Sequence, residues 1–183
     1  KRLGLPLDKK IALYIGRVDG WKGANVFFEA ANFFPSDIIA VVIGGEKKQV
    51  NILRQKYPKV IFLGYRPYRE LQHNQAAGDV LVLPNTGKDG ISALFTSPLK
   101  LFSYMTSGRP IVASDLQSVR EILNEDLCFF VQPDDPYALA QSIVRACDEK
   151  SGGAQKAMRA KEVVAQYDWN NRAKLIVSFL HSI

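Results

Sequence analysis

Short apolar runs alternate with stretches of helical periodicity along this chain. Consecutive apolar residues are typical of strands buried on both faces, whereas apolar residues three and four positions apart indicate a helix with one buried side. Most runs end at a glycine or a proline, residues that are typical of turns. This pattern predicts strands over residues 11–15, 38–43, 60–63, 80–83, 111–113 and 128–131. It predicts helices over residues 26–34, 50–57, 70–77, 98–106, 119–123, 136–149, 155–166 and 170–180.

The alternation of strands and helices indicates the fold class. Strands that are joined by helices pair in parallel, with the helices on both faces of the sheet. We therefore predict an α/β fold, a doubly wound Rossmann-like sheet of about six parallel strands. In such sheets ligands bind at the carboxyl ends of the strands. The loops after residues 15, 43, 63, 83 and 113 are therefore the first candidates for a binding site.

Length and charge narrow the possible functions. The 183 residues, 47% of them hydrophobic, suffice for one full core. We predict a single domain over residues 1–183, with C-terminal helices over 153–183. The chain begins at Lys1, which we interpret as a piece of a longer protein, although N-terminal processing would give the same start. The net charge of +6 suits a phosphate-bearing ligand or an acidic membrane surface, and a merely solvated surface is the alternative.

Several protein classes are disfavoured. The basic residues form no stripe interleaved with aromatic residues, so we expect no nucleic-acid partner. No apolar run approaches the ~18 residues of a membrane span. Cys128 and Cys147 lack metal-binding or disulfide spacing, which favours buried thiols in a reducing compartment. These features predict a cytoplasmic protein, and the positive charge adds the expectation of a peripheral contact at the inner face of the membrane.

The loop after the first strand carries two cations. Gly16 ends the strand, and Arg17 and Lys22 flank the turn into the next helix. Arginine offers a planar fork for two phosphate oxygens, and lysine offers a mobile point charge. The start of the following helix adds backbone N–H groups. This loop is a candidate diphosphate site, and the alternative is a surface arginine with a lysine that extends into water.

A second candidate lies where the long polar loop over residues 84–96 leads into a helix. Ser97 is a good N-cap and Pro98 a good first helical residue. Leu99 and Lys100 follow in the first turn, where the helix dipole disfavours a cation. We expect Lys100 to pair with an anion, and the alternative is that it points into water.

A third candidate is the turn after the third strand, formed by Gly64, Tyr65 and Arg66. Its backbone could bind the edge of a nucleobase, although such turns are common.

The sequence contains no metal-binding pattern. His73 and His181 are far apart, and Asp79 and Asp115 form no Asp-x-Asp pair for a divalent ion. The glycines of the first loop do not match Gly-x-Gly-x-x-Gly, and there is no Walker motif, which speaks against a dinucleotide dehydrogenase and an NTPase. We predict no cofactor and no metal.

Seven segments follow one another in a specific order along nearly the whole chain. They are GR (16–17) with KG (22–23), VIGG (42–45), FLGY (62–65), AGDVLVLP (77–84), SPLKLF (97–102), GRPIVASD (108–115) and VQPDDP (131–136). Each segment is weakly specific by itself, but all seven in register across one domain are strong evidence for a family resemblance. In this order they resemble the group 1 glycosyltransferases, a family of retaining enzymes with the two-domain GT-B fold. The resemblance implies that this chain is the C-terminal, donor-binding half of such a fold.

The resemblance also implies roles for individual residues. Arg17 and Lys22 would clamp the donor diphosphate. The turn after the third strand would hold the nucleobase, through Gly64, Tyr65 and Arg66. The helix after the long loop would approach the phosphates and the sugar, through Ser97, Pro98, Leu99 and Lys100.

The chain departs from the family at two positions. The family has two glutamates around this helix, the second of which binds the ribose hydroxyls. This chain has Phe95 and Ser103 there. A serine hydroxyl can still bond a ribose hydroxyl, but it is shorter and uncharged, so we expect a weaker grip on the ribose.

The resemblance implies hexosyl transfer in polysaccharide or glycan biosynthesis. A UDP- or GDP-sugar would be the donor, with retention at the anomeric carbon and without a metal. The acceptor, a glycan or a lipid-linked sugar, would be bound by an N-terminal domain outside this chain, so the isolated domain would be inactive. Closure of the two domains would assemble the site, and residues 170–183 would cross back to the other domain. Two alternatives remain: a non-catalytic nucleotide-sugar-binding or scaffold module that has lost the glutamates, and half of a sugar-nucleotide epimerase.

Overall fold

The computed structural model describes residues 3–18, 23–88, 90 and 99–181. Lys22, Phe95, Ser97 and Pro98, which figure in the predicted site, lie outside the described residues. The strands are β1 (Lys10–Ile15), β2 (Ile38–Ile43), β3 (Val60–Gly64), β4 (Val80–Leu83), β5 (Ile111–Ser114) and β6 (Phe129–Val131). The helices are α1 (Ala24–Ala30), α2 (Lys47–Lys56), α3 (Leu71–Ala76), α4 (Leu99–Thr106), α5 (Gln117–Arg120), α6 (Pro136–Cys147), α7 (Gly153–Val163) and α8 (Trp169–Leu180).

The described strands form one parallel sheet in the order β3-β2-β1-β4-β5-β6. β1 and β2 pair along their whole length, from Lys10 opposite Ile38 to Ile15 opposite Ile43. The predicted fold class, a doubly wound parallel sheet of six strands, is confirmed.

Both faces of the sheet are covered by helices. Successive residues of β1 point to opposite faces: Tyr14 packs in one core with residues of α1 and α6, and Leu13 packs in the other with residues of α4, α5 and α7. Both side chains are fully buried. Burial of one such large apolar side chain contributes ~1.5–3 kcal/mol, so the continuous apolar runs are the main source of stability.

Several predicted helix bounds are wrong by a few residues, for local reasons. The helix predicted over 26–34 is α1 followed by a short 3₁₀ turn, because Phe34 must be extended before Pro35. α2 begins at Lys47 and not at residue 50, because Glu46 and Gln49 form a capping box. The capping pattern is visible in the sequence, but the apolar periodicity alone does not reveal it.

The later helices differ in the same way. α6 ends at Cys147 because Asp148 is extended and caps the next turn through Lys150. The helix predicted over 155–166 is α7, followed by a 3₁₀ turn over Val164–Tyr167. α5 spans Gln117–Arg120 and not residues 119–123.

The last helix, α8, lies on the surface. Asp168 caps it by accepting the N–H of Asn171 at 2.6 Å. No residue of α8 is buried, and Leu175 and Phe179 are exposed. The interpretation that this segment packs on another domain stays a prediction. Nowhere in residues 3–18, 23–88, 90 and 99–181 is there a helix long and apolar enough to cross a bilayer.

Candidate functional site

The direction of strand addition reverses between β1 and β4. The sheet grows from β1 to β2 and β3 on one side, and from β4 to β5 and β6 on the other. At such a switch point, a crevice opens outside the carboxyl ends of the two central strands. The loops that begin at Gly16 and Pro84 therefore border the candidate site.

Two glycines allow the loops at this edge to touch. Gly23 precedes α1 with a φ of +69°, and a Cβ there would overlap the carbonyl oxygen of Pro84 and lie 2.8 Å from its carbonyl carbon. A Cβ on Gly44 would lie 2.9 Å from the carbonyl carbon of Gly16. Only a residue without a side chain permits such close backbone approaches. The loop after β1 therefore touches the loop after β2 at Gly16 and the loop after β4 at Gly23.

Tyr14 connects the first loop to α4. Its hydroxyl donates to the carbonyl oxygen of Arg17 at 2.5 Å and accepts a hydrogen bond from the Lys100 ammonium at 3.2 Å. The same ammonium lies 4.3 Å from the centre of the Tyr14 ring, and 2.8 Å from the position that a Cβ on Gly16 would occupy. The structure therefore brings Gly16, Arg17 and Lys100 together at the carboxyl end of β1.

The contacts of Lys100 explain how a cation is tolerated in the first described turn of α4. A cation over an aromatic face gains ~0.5–2 kcal/mol, more when water is excluded. That gain offsets the unfavourable interaction with the helix dipole, which amounts to ~0.3–1 kcal/mol. The prediction that Lys100 pairs with an anionic ligand stays a prediction.

Tyr104, one turn further along α4, attaches the helix to the end of β1. Its hydroxyl accepts the N–H of Ile15 at 2.9 Å and lies 3.4 Å from the carbonyl oxygen of the same residue. Burial raises the pKa of this hydroxyl well above its usual value. Tyr104 therefore holds the strand end that leads directly into Gly16 and Arg17.

Ser103, the predicted ribose contact, has a partner within the protein. Gln75 of α3, only 2% exposed, donates from Nε2 to the Ser103 hydroxyl oxygen at 2.5 Å. The hydroxyl oxygen accepts in this pair, so its own hydrogen can still be donated to a ligand. The ribose role of Ser103 stays a prediction.

The turn after β3 lies beside open space. The N–H of Gly44 donates to the carbonyl oxygen of Gly64 at 2.9 Å. Gly64 has a φ of +71°, and no described heavy atom lies within 4 Å of the position where its Cβ would be. Tyr65 is 76% exposed, and the buried Nε of Arg66 has no hydrogen-bond partner in the part of the chain that the structure describes. The three predicted base-binding residues therefore adjoin one another two strands away from β1, and their role stays a prediction.

The remaining predicted site residues divide into two groups. Leu99 is 79% exposed at the start of α4 as described, and no contact tests its role. Lys22, Ser97 and Pro98 lie outside the described residues, so their roles also stay predictions.

Sequence reasoning missed the polar groups that support the site: Tyr14, Gln75 and Tyr104. Each lies in an apolar or amphipathic segment and resembles an ordinary core residue. The available signal is chemical, because a buried hydroxyl or amide requires a hydrogen-bond partner.

The two aspartates that flank strands have structural partners. Asp79 accepts the N–H of Ile11 at 2.8 Å. Asp115 forms a salt bridge with Arg120 through both carboxylate oxygens. The hydrogen bond from Arg120 lowers the pKa of Asp115. Within the described ranges, no three His, Cys, Asp or Glu residues cluster as a metal site would require.

The comparison with known proteins identifies the family. The family model described as "Glycosyl transferases group 1" matches residues 9–149. The chain belongs to the group 1 glycosyltransferases. It is similar to the D-inositol 3-phosphate glycosyltransferase of Corynebacterium urealyticum, with 26% identity over 200 residues, which covers 100% of this chain and 45% of that protein. The chain spans less than half the length of the first curated relatives it matches.

Solved structures show the same fold. This group 1 domain superposes on sucrose-phosphate synthase from Thermosynechococcus elongatus with a TM-score of 0.80 at 24% identity, which covers 99% of this chain and 47% of that one. It superposes on Anabaena HepE in complex with UDP-glucose with a TM-score of 0.78 at 21% identity, which covers 96% of this chain and 50% of that one. The six-stranded domain therefore has the fold of the Rossmann-like half of a GT-B glycosyltransferase.

Proposed function

We propose that this group 1 domain binds a nucleotide-diphospho-sugar at the carboxyl ends of β1 and β4. The observation that carries the proposal is the contact of Lys100 with Tyr14 and Gly16, next to Arg17. Lys100 follows Tyr14 of β1 by 86 residues, yet its ammonium lies against the end of that strand. A cation at this crevice suits a diphosphate, whose oxygens accept strong charge-assisted hydrogen bonds.

The chemistry of sugar transfer explains why cations are needed. As the bond between the anomeric carbon and the diphosphate breaks, negative charge grows on the leaving oxygen. Arg17, Lys22 and Lys100 would stabilise this charge electrostatically, which is the contribution that a metal ion makes in other transferases. We therefore propose metal-independent transfer of a hexosyl group, with retention at the anomeric carbon as in the enzymes that this chain resembles.

The donor that we propose for this edge of the sheet is a uridine or guanosine diphosphate sugar. HepE, which shares the fold, is found with UDP-glucose. In this chain the open side of Gly64, together with Tyr65 and the buried Nε of Arg66, offers a surface where a base could pack and bond. The acceptor would be bound by a second domain, corresponding to the part of the longer relatives that this chain does not cover.

Titration calorimetry with UDP and GDP in the presence of EDTA tests the binding step. We expect binding without a metal, and a loss of about tenfold or more in affinity for Arg17→Ala and for Lys100→Met, since charge-assisted hydrogen bonds contribute ~1.5–3 kcal/mol. Lys59→Ala is the control, because Lys59 precedes the amino end of β3, away from the carboxyl ends of the strands. Its ammonium donates to the carbonyl oxygen of Asn32. Equal affinity in all four proteins would contradict the diphosphate clamp. NMR of the sugar transferred by the full-length protein would test retention.

A second function is a nucleotide-sugar-binding module without catalysis. It is favoured by Ser103, whose neutral hydroxyl is already bonded by Gln75 at the position where the family has a glutamate. Tight binding of the donor with neither transfer nor hydrolysis by the full-length protein would support this module over the enzyme.

A further inference from the structure

A carboxylate in the loop after β6 bonds the loop after β4. The hydroxyl of Thr86 donates to Oδ1 of Asp134 at 2.6 Å, and the N–H of Gly87 donates to Oδ2 at 2.9 Å. The hydroxyl oxygen of Thr86 in turn accepts the N–H of Lys88 at 3.2 Å. Asp134 therefore holds three consecutive residues of the loop that begins at the switch point, two directly and one through Thr86.

Asp134 adopts a backbone conformation that favours glycine. Its φ is +60°, and it is the single non-glycine residue with positive φ in the described part of the chain. Aspartate tolerates the left-handed region better than most residues, but glycine occupies it at lower cost. Backbone conformation alone would favour glycine at this position, so the advantage of aspartate is the hydrogen bonds that its carboxylate accepts.

The other side of the same loop borders the crevice. Pro84 and Thr86 lie against Gly23. A Cβ on Gly23 would be 2.8 Å from the carbonyl carbon of Pro84 and 3.0 Å from the amide nitrogen of Thr86. Between them, Asn85 is 1% exposed, and its Oδ1 has no hydrogen-bond partner within the described residues. The contact with Asp134 and the contact with Gly23 therefore fix the loop on both sides of a buried polar side chain.

We propose that Asp134 is a positioning residue for the donor site. By bonding Thr86 and Gly87, its carboxylate holds the loop after β4 against Gly23, so the crevice between β1 and β4 has its binding shape before the donor arrives. Ordering a loop in advance removes that entropic cost from the binding step. This inference rests on the proposed donor function of the same crevice.

The test compares variants that separate stability from positioning. Asp134→Gly removes both acceptors and relieves the left-handed backbone, so its thermal unfolding midpoint should remain close to that of the wild type. We expect it to weaken UDP binding in titration calorimetry by about tenfold, equivalent to ~1.4 kcal/mol. Thr86→Val should weaken binding as well, and Thr86→Ser, which keeps the hydroxyl, should bind as the wild type does. The double variant Asp134→Gly/Thr86→Val should lose less affinity than the sum of the two single losses, because both substitutions break the contact between Thr86 and Asp134.

The outcomes distinguish this inference from the function on which it rests. If Asp134→Gly binds UDP as tightly as the wild type while Arg17→Ala does not, the positioning role is overturned and the donor site stands. A lower unfolding midpoint with unchanged affinity, measured well below that midpoint, also overturns it, because the contact would then be structural only. If the wild type binds neither UDP nor GDP, the donor function fails and the positioning role fails with it.

Discussion

Replacing Gly23 by alanine places a methyl group where the backbone before α1 meets the end of β4. Two separate costs follow. The φ of +69° is in the left-handed region, which costs a non-glycine residue ~1–2 kcal/mol. The new Cβ would also overlap the carbonyl oxygen of Pro84, and because backbone cannot rotate away, one loop must shift, at ~1–3 kcal/mol for forced displacement in a packed region.

These two costs add to ~2–5 kcal/mol, which lowers the Tm of a domain of this size by roughly 4–20 °C. Gly4→Ala is the matched control, because Gly4 has a φ of +67° and no described heavy atom within 4 Å of the position of its missing Cβ. Gly4→Ala should therefore lose only the ~1–2 kcal/mol that a non-glycine residue costs in the left-handed region. The effect of alanine on the unfolded chain is common to both variants and cancels in the comparison.

Guanidinium denaturation, followed by far-ultraviolet circular dichroism, measures both free energies of unfolding. The difference between Gly23→Ala and Gly4→Ala isolates the overlap with Pro84. We also expect Gly23→Ala to weaken UDP binding under conditions where it is fully folded, because the shifted loop borders the proposed donor site. If the two alanine variants lose the same free energy, the close approach of the two loops is wrong.

Three further predictions concern α4 and the loop after β5. Tyr104→Phe should destabilise the domain by ~1–3 kcal/mol in guanidinium denaturation, since the N–H of Ile15 at the end of β1 loses its acceptor. Tyr57→Phe, whose hydroxyl has no described partner, should cost less in the same measurement. Because Arg120 lowers the pKa of Asp115, this carboxylate stabilises the fold above its unfolded pKa of ~3.9 and loses that contribution as the pH falls through its lower folded pKa. The Tm difference between the wild type and Asp115→Asn should therefore be constant near neutral pH and shrink below about pH 4. Ser103→Glu should tighten UDP binding in calorimetry if the ribose contact of the family is preserved.

Each of these three predictions has an outcome that contradicts it. Equal losses for the two tyrosine variants would show that the strand end finds water as a replacement acceptor. A Tm difference that persists unchanged at pH 3, below the unfolded pKa of ~3.9, would show that Asp115 acts through its shape and not through its charge. Weaker binding by Ser103→Glu would show that this chain holds the ribose differently, with the Gln75 contact as the first candidate.

The type of each element was predictable because burial is a local, periodic property of the chain. The six apolar runs are all strands, since a strand covered on both faces needs an apolar residue at every position. The bounds were less predictable: α2 starts at a capping box three residues before its apolar pattern. The candidate loops were predictable because parallel strands place their carboxyl ends at one edge.

The sequence by itself therefore determined the parallel sheet, the edge that carries the proposed binding site and the family. Only the tertiary structure decided which polar groups support that edge. Lys100 reaches Tyr14 and Tyr104 reaches Ile15 across more than 80 residues, and Asp134 reaches Thr86 across 48. Such hydrogen bonds depend on the strand order and on the angle at which each helix crosses the sheet. Neither quantity leaves a periodic pattern in the chain, because each arises from packing between distant segments.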